Sequence, residues 1–374
     1  MKFIVNSKSL LTQLNSISGV IVSNPIVPIL ENFLFEIDRD RLIVTASDLQ
    51  ISMIAEMQID CKEKGSIAVQ AKILLETLKN LPEQPITFSI DENTYTVELI
   101  SDNGRYKIAG ENATDFPKVP VVNKSYSVDI ASNVLARSIS TTIVAVSNDE
   151  LRPNLCGIYI KFSSNHTTFV STDGHKMVRL RRVDIVSDAE TSIIVPKRAF
   201  ELLRKSLPTE NTNVRIEFNP SNAFFSFENI KMICRLIDER YPDYENAIPK
   251  DNPNVLKIDR AEFLASLRRV DIYSNKTTNQ IRLKIAGSEI QISAEDFDFS
   301  NEANERLPCE YDGEDLEIGF NSKFLIQLLS IMDCKEIIFS MSQPNRAGLI
   351  TPSENIQGED LLMLVMPVML SSYP

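Results

Sequence analysis

A threefold internal repeat is the feature that most constrains how this chain can fold. Three segments share one form, in which an apolar residue and a short polar or proline element precede a basic residue and an amphipathic helix pattern. They read VQAKILLETL from Val69, VPKRAFELL from Val195 and FNSKFLIQLL from Phe320. Lys72, Arg198 and Lys323 therefore occupy equivalent positions, each about one third of the 374-residue chain from the next. A fixed period predicts three copies of one structural unit.

A second set of helical segments keeps the same period. It reads FIVNSKSLLTQL from Phe3, YSVDIASNVLARSI from Tyr126 and LKIDRAEFLASL from Leu256. In each copy a short apolar stretch leads to Asn6, Asp129 or Asp259, which are good N-cap residues, and apolar residues then recur at helical spacing. Two independent markers therefore indicate the same three copies, with two helices in each.

The chain between the helical segments reads as short strands separated by turn-forming residues. Examples are RLIVTAS from Arg41, GIYIKF from Gly157 and EIQISA from Glu289. We therefore predict an α+β fold with three similar domains, each containing two helices and about eight antiparallel strands. Proline-containing stretches place the predicted boundaries at residues 1–121, 122–250 and 251–374.

Composition excludes several classes of protein. No apolar run approaches the length of a membrane span, and the N-terminus lacks the pattern of a secretory leader, so we expect a cytoplasmic protein without membrane partners. The five cysteines are dispersed singly and only two histidines accompany them, which predicts reduced thiols, no metal site and no cofactor.

The charge distribution partly offsets the net charge of -12. The six predicted helical segments, with their N-caps, hold twelve basic and five acidic residues, so the remainder of the chain is strongly acidic. Basic helices on one surface would attract phosphates without reading bases. The alternative interpretation is that Lys and Arg simply occupy the solvent faces of helices.

Five longer segments together resemble the bacterial DNA polymerase III beta subunit family, in order and at the expected separations. They are STDGHKM from Ser171, IVPKRAFELL from Ile194, LIDERYPDYENAIPK from Leu236, LEIGFN from Leu316 and LVMPVML from Leu364. The MKF start, PIL from Pro28 and ATDFP from Ala113 fit as well. The resemblance covers essentially the whole chain. It implies the DNA clamp fold, closed as a head-to-tail dimeric ring.

The function implied by the resemblance is that of a non-catalytic processivity factor that encircles duplex DNA without sequence preference. The implied partners bind through short linear motifs and are the replicative polymerase alpha subunit, the clamp loader, translesion polymerases, mismatch-repair proteins and ligase. The expected location is the cytoplasm, in association with the nucleoid. Two alternatives remain open from the sequence: a paralogous clamp with restricted partners, and an enzyme built on repeated α+β domains.

The resemblance also assigns three groups of site residues. The implied peptide pocket comprises Leu155, Thr172, Gly174, His175, Lys176, Met177, Pro242, Ala247, Val365, Met366, Pro367, Val368 and Met369. The implied DNA contacts are Asn24, Lys72, Asp149, Arg152, Pro153, Asn154, Lys197 and Arg198. At the implied dimer seam, Tyr106 and Ile108 of one subunit face Ile272 and Tyr273 of the other.

Two local features qualify these assignments. The family usually ends in a basic residue followed by an apolar one, whereas here Met369 takes the basic position and Ser371–Pro374 follow Leu370. The pair Asp173 and His175 could suggest catalysis, but no nucleophile or third member accompanies it in a recognisable pattern. We predict instead a turn with Gly174 at positive φ.

Overall fold

The computed structural model describes residues 1–61, 63–122, 126–188 and 190–370. Within these ranges the order of elements repeats three times as one strand, a helix, a set of strands, a second helix and three strands. This order confirms the repeat and the predicted α+β class. None of the helices in the described ranges is long and apolar enough to cross a membrane.

The first copy contains eight strands and two helices. They are β1 (Lys2–Asn6), α1 (Ser7–Ser18), β2 (Asn32–Asp38), β3 (Arg41–Ser47), β4 (Ile51–Gln58), β5 (Lys64–Gln70), α2 (Ala71–Asn80), β6 (Pro85–Asp91), β7 (Thr96–Ile100) and β8 (Arg105–Glu111).

The second copy follows the same order. It comprises β9 (Tyr126–Ala131), α3 (Ser132–Thr142), β10 (Gly157–Phe162), β11 (Thr167–Thr172), β12 (Lys176–Arg182), β13 (Thr191–Pro196), α4 (Lys197–Ser206), β14 (Asn213–Phe218), β15 (Asn222–Phe227) and β16 (Ile230–Arg235).

The third copy adds one short strand. It comprises β17 (Asn254–Asp259), α5 (Arg260–Asp271), β18 (Gln280–Ala286), β19 (Glu289–Asp296), β20 (Asn301–Pro308), β21 (Glu310–Asp312), β22 (Leu316–Asn321), α6 (Ser322–Ile331), β23 (Glu336–Met341), β24 (Gly348–Pro352) and β25 (Glu359–Val365).

Helix starts follow the predicted caps in two of the three copies. The Asn6 side chain accepts from the amides of Lys8 and Ser9, and Asp259 accepts from the amide of Glu262. The prediction for Asp129 is wrong: this residue lies within β9, and the helix begins at Ser132. The reason is that β9 continues its pairing with β14 through Ala131, which delays the turn into the helix.

Two compact units divide the described chain, and neither coincides with one copy of the repeat. Unit 1 contains residues 1–136 and 198–236, and unit 2 contains residues 137–197 and 237–374. Unit 1 holds a twelve-stranded sheet in which β4 pairs with β16, so a strand of the first copy joins a strand of the second. The boundaries 1–121, 122–250 and 251–374 remain a prediction.

Unit 2 contains a nine-stranded and a four-stranded sheet, and its larger sheet joins copies in the same manner. There β12 pairs with β25 over seven residues, from Lys176 opposite Val365 to Arg182 opposite Glu359. On β12, Val178 and Leu180 share one face and are buried, and Met177 on the opposite face is buried as well. The sheets in both units therefore run across the repeat boundaries.

A buried ion-pair network reinforces the β12 to β25 junction. Glu359, whose side chain is 2% exposed, accepts from Arg137 Nε and from Arg182 Nη1, both at 2.5 Å. Arg182 also donates to Asp184 through Nε at 2.9 Å. Three of these four groups belong to the second copy and Glu359 to the third, so removing the carboxylate would leave two largely buried guanidinium groups without their shared partner.

Candidate functional site

The turn between β11 and β12 is built by side chains that replace backbone pairing. Thr172 Oγ1 accepts from the amide of Gly174 at 3.1 Å, and Asp173 Oδ1 accepts from the amides of His175 and Lys176, each at 2.9 Å. Gly174 has φ of 91°, a conformation that costs a glycine little. The predicted turn with Gly174 at positive φ is therefore confirmed.

Asp173 is a charged anchor inside this turn. Burial raises the pKa of its carboxyl, but hydrogen bonds from the Lys176 ammonium and from the Lys176 and His175 amides outweigh burial, so the pKa lies below its usual value. The Lys176 ammonium is 2.5 Å from Asp173 Oδ2 and also lies 4.6 Å from the centroid of the Phe324 ring. This arrangement positions the turn and contains no catalytic grouping.

The last strand ends beside this turn. Val365 is fully buried and closes the pairing of β25, while the amide of Met366 donates to the carbonyl of His175 at 2.8 Å. After Pro367 the chain reaches the four-stranded sheet, where the amide of Val368 donates to the carbonyl of Gly319 at 2.9 Å. The segment LVMPVML is thus a strand only to Val365 and irregular beyond it, as expected for a strand interrupted by proline.

An apolar cluster lies beneath the turn and the end of the last strand. It brings together Leu155 and Met177 from the implied pocket with Tyr241, Ala347 and Leu364, which the sequence analysis did not assign. Tyr159 and Tyr244 pack against the cluster, and the rings of Tyr159 and Tyr241 stack at 4.7 Å. The pairing of Met177 with Leu364 makes Leu364, and not Val365, the cross-strand neighbour of Met177.

Two tyrosines of this region, Tyr241 and Tyr244, are held in their neutral form. Burial, followed by the nearby Glu245 carboxylate, raises the pKa of Tyr244 to about 12. Burial also raises the pKa of Tyr241 strongly. At neutral pH these two rings therefore add no charge to the apolar cluster.

The remaining implied pocket residues lie around this cluster or follow it in the chain. Gly174, His175, Pro242 and Ala247 are exposed, and the His175 ring stacks at 5.9 Å on Phe324. Met366 is 38% exposed and Met369 is 74% exposed, at the position where the family usually has a basic residue. Ser371–Pro374 lie outside the described residues. The assembled surface is therefore apolar and rich in methionine, with little charge at the terminal segment.

Five of the implied DNA contacts lie in unit 2. Arg152 Nε donates to Asp149 Oδ2 at 2.8 Å, and this bond lowers the pKa of the Asp149 carboxyl. Pro153 begins a short 3-10 helix, in which the Asn154 side chain donates to the carbonyl of Arg240. The Lys197 ammonium donates to Asn148 Oδ1 at 2.8 Å. Arg152 is therefore partly neutralised, whereas Lys197 is bound to a neutral amide and forms no ion pair among the described residues.

The other three implied DNA contacts lie in unit 1. Asn24 is exposed and has φ of 55°. Its backbone amide donates to the Glu31 carboxylate. Arg198 is 3.1 Å from Asp48 Oδ2, which partly neutralises it. Lys72 is exposed in the first turn of α2 and forms no ion pair among the described residues. Lys72, Arg198 and Lys323 are each the second residue of a helix, which agrees with their equivalence in the repeat.

The helices as a group are basic. Within the described residues the six helices contain twelve basic and four acidic residues. The difference from the sequence-based count arises because Asp129 and Asp259 precede their helices and Asp271 ends α5. Since the chain has 39 basic and 51 acidic residues in total, the positive charge is concentrated on the helices.

The implied seam residues differ in exposure. Tyr106 is 38% exposed on β8, whereas the Ile108 side chain is 3% exposed and already packed within unit 1. Ile272 is 64% exposed and Tyr273 is 43% exposed after the end of α5, in unit 2. Three of the four residues therefore present apolar surface in the single chain, and Ile108 offers only its backbone.

Metal-ligating groups do not assemble in the part of the chain that the structure describes. No group of three or more His, Cys, Asp or Glu residues there is arranged to hold an ion. The five cysteines are free, and burial raises the pKa of the Cys234 thiol to about 12. The described residues therefore offer apolar and electrostatic binding surfaces in place of a metal centre.

Comparison with known protein families gives one consistent result across the chain. Residues 1–120 match the N-terminal domain of the DNA polymerase III beta subunit, residues 129–243 match its central domain and residues 245–368 match its C-terminal domain. The three matches follow one another in order and leave only short segments uncovered.

Individual relatives agree over their full length. The beta sliding clamp of Vibrio cholerae is 27% identical, covering 99% of this chain and 100% of its own, and that of Bacillus subtilis is 25% identical, covering 98% and 99%. Among solved structures, a sliding clamp from Pseudomonas aeruginosa bound to griselimycin has a TM-score of 0.93 at 27% identity. The match covers 99% of this chain and 100% of the Pseudomonas aeruginosa chain.

Replacing Asp173 with Asn should destabilise unit 2 by roughly 1 to 2 kcal/mol at pH 7, because the anchored turn loses its charge-assisted bonds. The pKa of Asp173 is lower in the folded chain than in the unfolded chain, so its stabilisation is fully present above the unfolded pKa of about 3.9. That stabilisation is lost as the pH falls through the lowered folded pKa.

Thermal unfolding of the two proteins at a series of pH values measures this difference. The gap in melting temperature should be constant near neutrality and close progressively below about pH 4. Asp312→Asn is the matched control, because it changes an exposed aspartate of unit 2 that forms no ion pair or side-chain hydrogen bond among the described residues. A gap that does not depend on pH would contradict the assigned role of the carboxylate.

Proposed function

The chain belongs to the DNA polymerase III beta subunit family, and from this premise we propose that it is a DNA polymerase processivity factor. In this proposal two protein chains form a ring around duplex DNA and tether the replicative polymerase and other replication and repair proteins to it. The family is non-catalytic, so the alternative of an enzyme on a repeated scaffold is discarded. We place this activity in the cytoplasm, at the nucleoid.

The observation that carries the proposal is the pattern of strand pairing between copies of the repeat. In both units the third strand after the first helix of a copy, β4 or β12, pairs with the last strand of the next copy, β16 or β25. By order in the repeat, β20 corresponds to β4 and β12, and β8 corresponds to β16 and β25. Both β20 and most of β8 lack this partner among the described residues.

Unpaired strand edges favour association with a second protein chain. Residues 105–109 of β8 pair only with β7, and β20 lies at the end of its four-stranded sheet. Pairing β8 of one chain with β20 of a second chain would repeat the junction already made twice within each chain. Because the two edges are different, the contact is head-to-tail, and two such contacts close a dimer with twofold symmetry.

The side chains near the two edges are complementary in charge and shape. Lys107 is exposed on β8 and Glu302 is exposed on β20. A groove of about 300 Å³ between α2 and β8 is lined by Ile73 and Tyr106, among others. We propose that this groove receives the exposed Ile272 and Tyr273 of the second chain, which adds apolar burial to the strand pairing.

The apolar cluster around Leu155 and Met177 is the proposed binding site for partner peptides. Its floor is buried and aromatic, and its edges are the turn at Gly174 and the irregular segment after Val365. A methionine-rich surface of this kind accepts related apolar anchors from different partners. We propose that polymerase, clamp loader, translesion polymerases, mismatch-repair proteins and ligase use it in turn. The exposed Met369 is the feature that favours the alternative of a clamp with restricted partners.

Replacing Ile272 and Tyr273 together with Ala should yield monomers. Both side chains are largely exposed in the single chain, so their removal leaves the fold intact while it removes apolar burial worth about 2 to 5 kcal/mol at each site. Sedimentation velocity at sub-micromolar concentration measures the mass. The control replaces Val183 and Val186, which are 60% and 53% exposed, with Ala. A double variant that keeps its dimer mass would show that the seam is elsewhere.

Ending the chain at Val365 should abolish binding of a clamp-binding peptide from the replicative polymerase, whereas ending it at Leu370 should not. Relative to the second truncation, the first removes Met366 to Leu370 but keeps the pairing of β25 with β12. Isothermal titration calorimetry should show a loss of affinity greater than about tenfold for the shorter chain. Equal affinity of the two truncated proteins would place the peptide site elsewhere.

A further inference from the structure

The turn between β3 and β4 in unit 1 reproduces the turn between β11 and β12 in unit 2. Ser47 Oγ accepts from the amide of Leu49 at 3.3 Å, as Thr172 accepts from Gly174. Asp48 Oδ1 accepts from the amides of Gln50 and Ile51 at 3.0 and 2.7 Å, as Asp173 does from His175 and Lys176. The two turns therefore share the hydrogen bonds that hold their backbone, and they differ in the cation that pairs with the second carboxylate oxygen, which is Lys176 in unit 2 and Arg198 in unit 1.

The strand that follows each turn is equivalent as well. The amide of Arg235 donates to the carbonyl of Gln50 at 2.9 Å, as Met366 donates to His175 at 2.8 Å. Ser52 pairs with Ile233 in unit 1, at the place where Met177 pairs with Leu364 in unit 2. Each unit thus contains the same junction between two copies of the repeat.

A groove opens beside the unit 1 junction. It has a volume of about 300 Å³, and its lining includes Leu49, Ser52, Ile233 and Arg235. Ser52 and Ile233 are buried at its base, whereas Leu49 is 54% exposed and Arg235 is exposed at its rim. The groove is more polar than the apolar cluster of unit 2, because Ser52 stands in place of Met177 and Arg235 in place of Met366.

Leu49 is the unusual residue at this rim. Its φ is 75°, in the left-handed region where the equivalent turn has Gly174. A leucine in this conformation costs free energy that glycine would not, and here the cost maintains an apolar side chain that points largely into solvent. An exposed leucine held in a strained turn beside a groove suggests a binding role.

Arg235 determines which chemical group a ligand of this groove would need. Within the described ranges its guanidinium forms no ion pair or side-chain hydrogen bond, unlike Arg198, which is paired with Asp48 in the same unit. An unpaired guanidinium favours a carboxylate, which it can bind through two parallel hydrogen bonds.

We propose that this groove is a second docking site, for an extended protein segment that places a carboxylate against Arg235 and an aliphatic side chain against Leu49 and Ile233. The inference rests on the proposed function in one respect: it assumes that the equivalent junction in unit 2 is the peptide site. A clamp with both sites would hold one partner at two points, or two partners at once.

Methyl-labelled nuclear magnetic resonance on the full dimer tests the proposal. The probe is the capped pentapeptide acetyl-Ala-Leu-Asp-Leu-Ala-amide, and its matched control has Asn in place of Asp. The Asp peptide should shift the methyl signals of Leu49 and Ile233, and the Asn peptide should bind about tenfold more weakly, since one charge-assisted pair is lost.

Two variants separate binding from folding. Arg235→Gln should weaken the Asp peptide about tenfold at Leu49 and Ile233, whereas Arg215→Gln, on β14 of the same unit, should not change it. Leu49→Gly relieves the positive φ, so the protein should be at least as stable as the wild type and yet bind the peptide more weakly.

Three results would overturn the proposal. They are the absence of shifts at Leu49 and Ile233 at saturating peptide, shifts that Arg235→Gln leaves unchanged, and shifts produced by a short DNA duplex but not by the peptide. The methyl signals of Met177 and Met366 in the same spectra report on the unit 2 site. Failure of the second site is therefore distinguishable from failure of the proposed function.

Discussion

Antiparallel pairing between strands of successive repeats is the interaction on which the rest of this structure depends. The first copy pairs with the second through β4 and β16, and the second pairs with the third through β12 and β25. Backbone hydrogen bonds of a sheet need partners on both sides, so this arrangement fixes where pairing is complete and where it is not. Among the described residues, β20 and most of β8 lack the partner that their counterparts in the other copies have, and they account for the proposed association of two chains.

The same junctions are where we propose that binding surfaces form. At each junction a turn stabilised by an aspartate meets the end of a strand from the next copy. In unit 2 an apolar cluster that includes Met177, Tyr241 and Leu364 lies at this place. In unit 1 a groove lies there, with Ser52 and Ile233 at its base and Arg235 at its rim. The same backbone arrangement therefore carries apolar side chains in unit 2 and polar and basic side chains in unit 1.

Electrostatics divides the basic residues into two groups. Arg137 and Arg182 share the buried Glu359, and they act within the fold. Among the implied DNA contacts, Arg152 and Arg198 are each paired with an aspartate, whereas Lys72 and Lys197 form no ion pair in the part of the chain that the structure describes. Because non-specific affinity for DNA scales with the number of free cations that neutralise phosphates, weak binding to linear duplex is expected.

Much of this organisation could be predicted from sequence, because repeats and N-caps are local signals. Asn6, Asp259 and Gly174 carry out the local roles that their residue types suggest. Other features depend on tertiary contacts. The polar segment of β20 shows no apolar alternation, Asp129 remains in a strand because β14 pairs with it, and the partners of Arg152 and Arg198 emerge only once the chain has folded. The site residues carried over by resemblance remain predictions.

We propose that topology, and not affinity, holds this protein on DNA. The most direct measurement loads the protein onto a nicked circular plasmid with its clamp loader, raises the salt and follows the bound fraction by gel filtration before and after the circle is cut once. Retention on the circle and release after linearisation is the predicted result. Equal release from circular and linear DNA at the same salt would contradict the account.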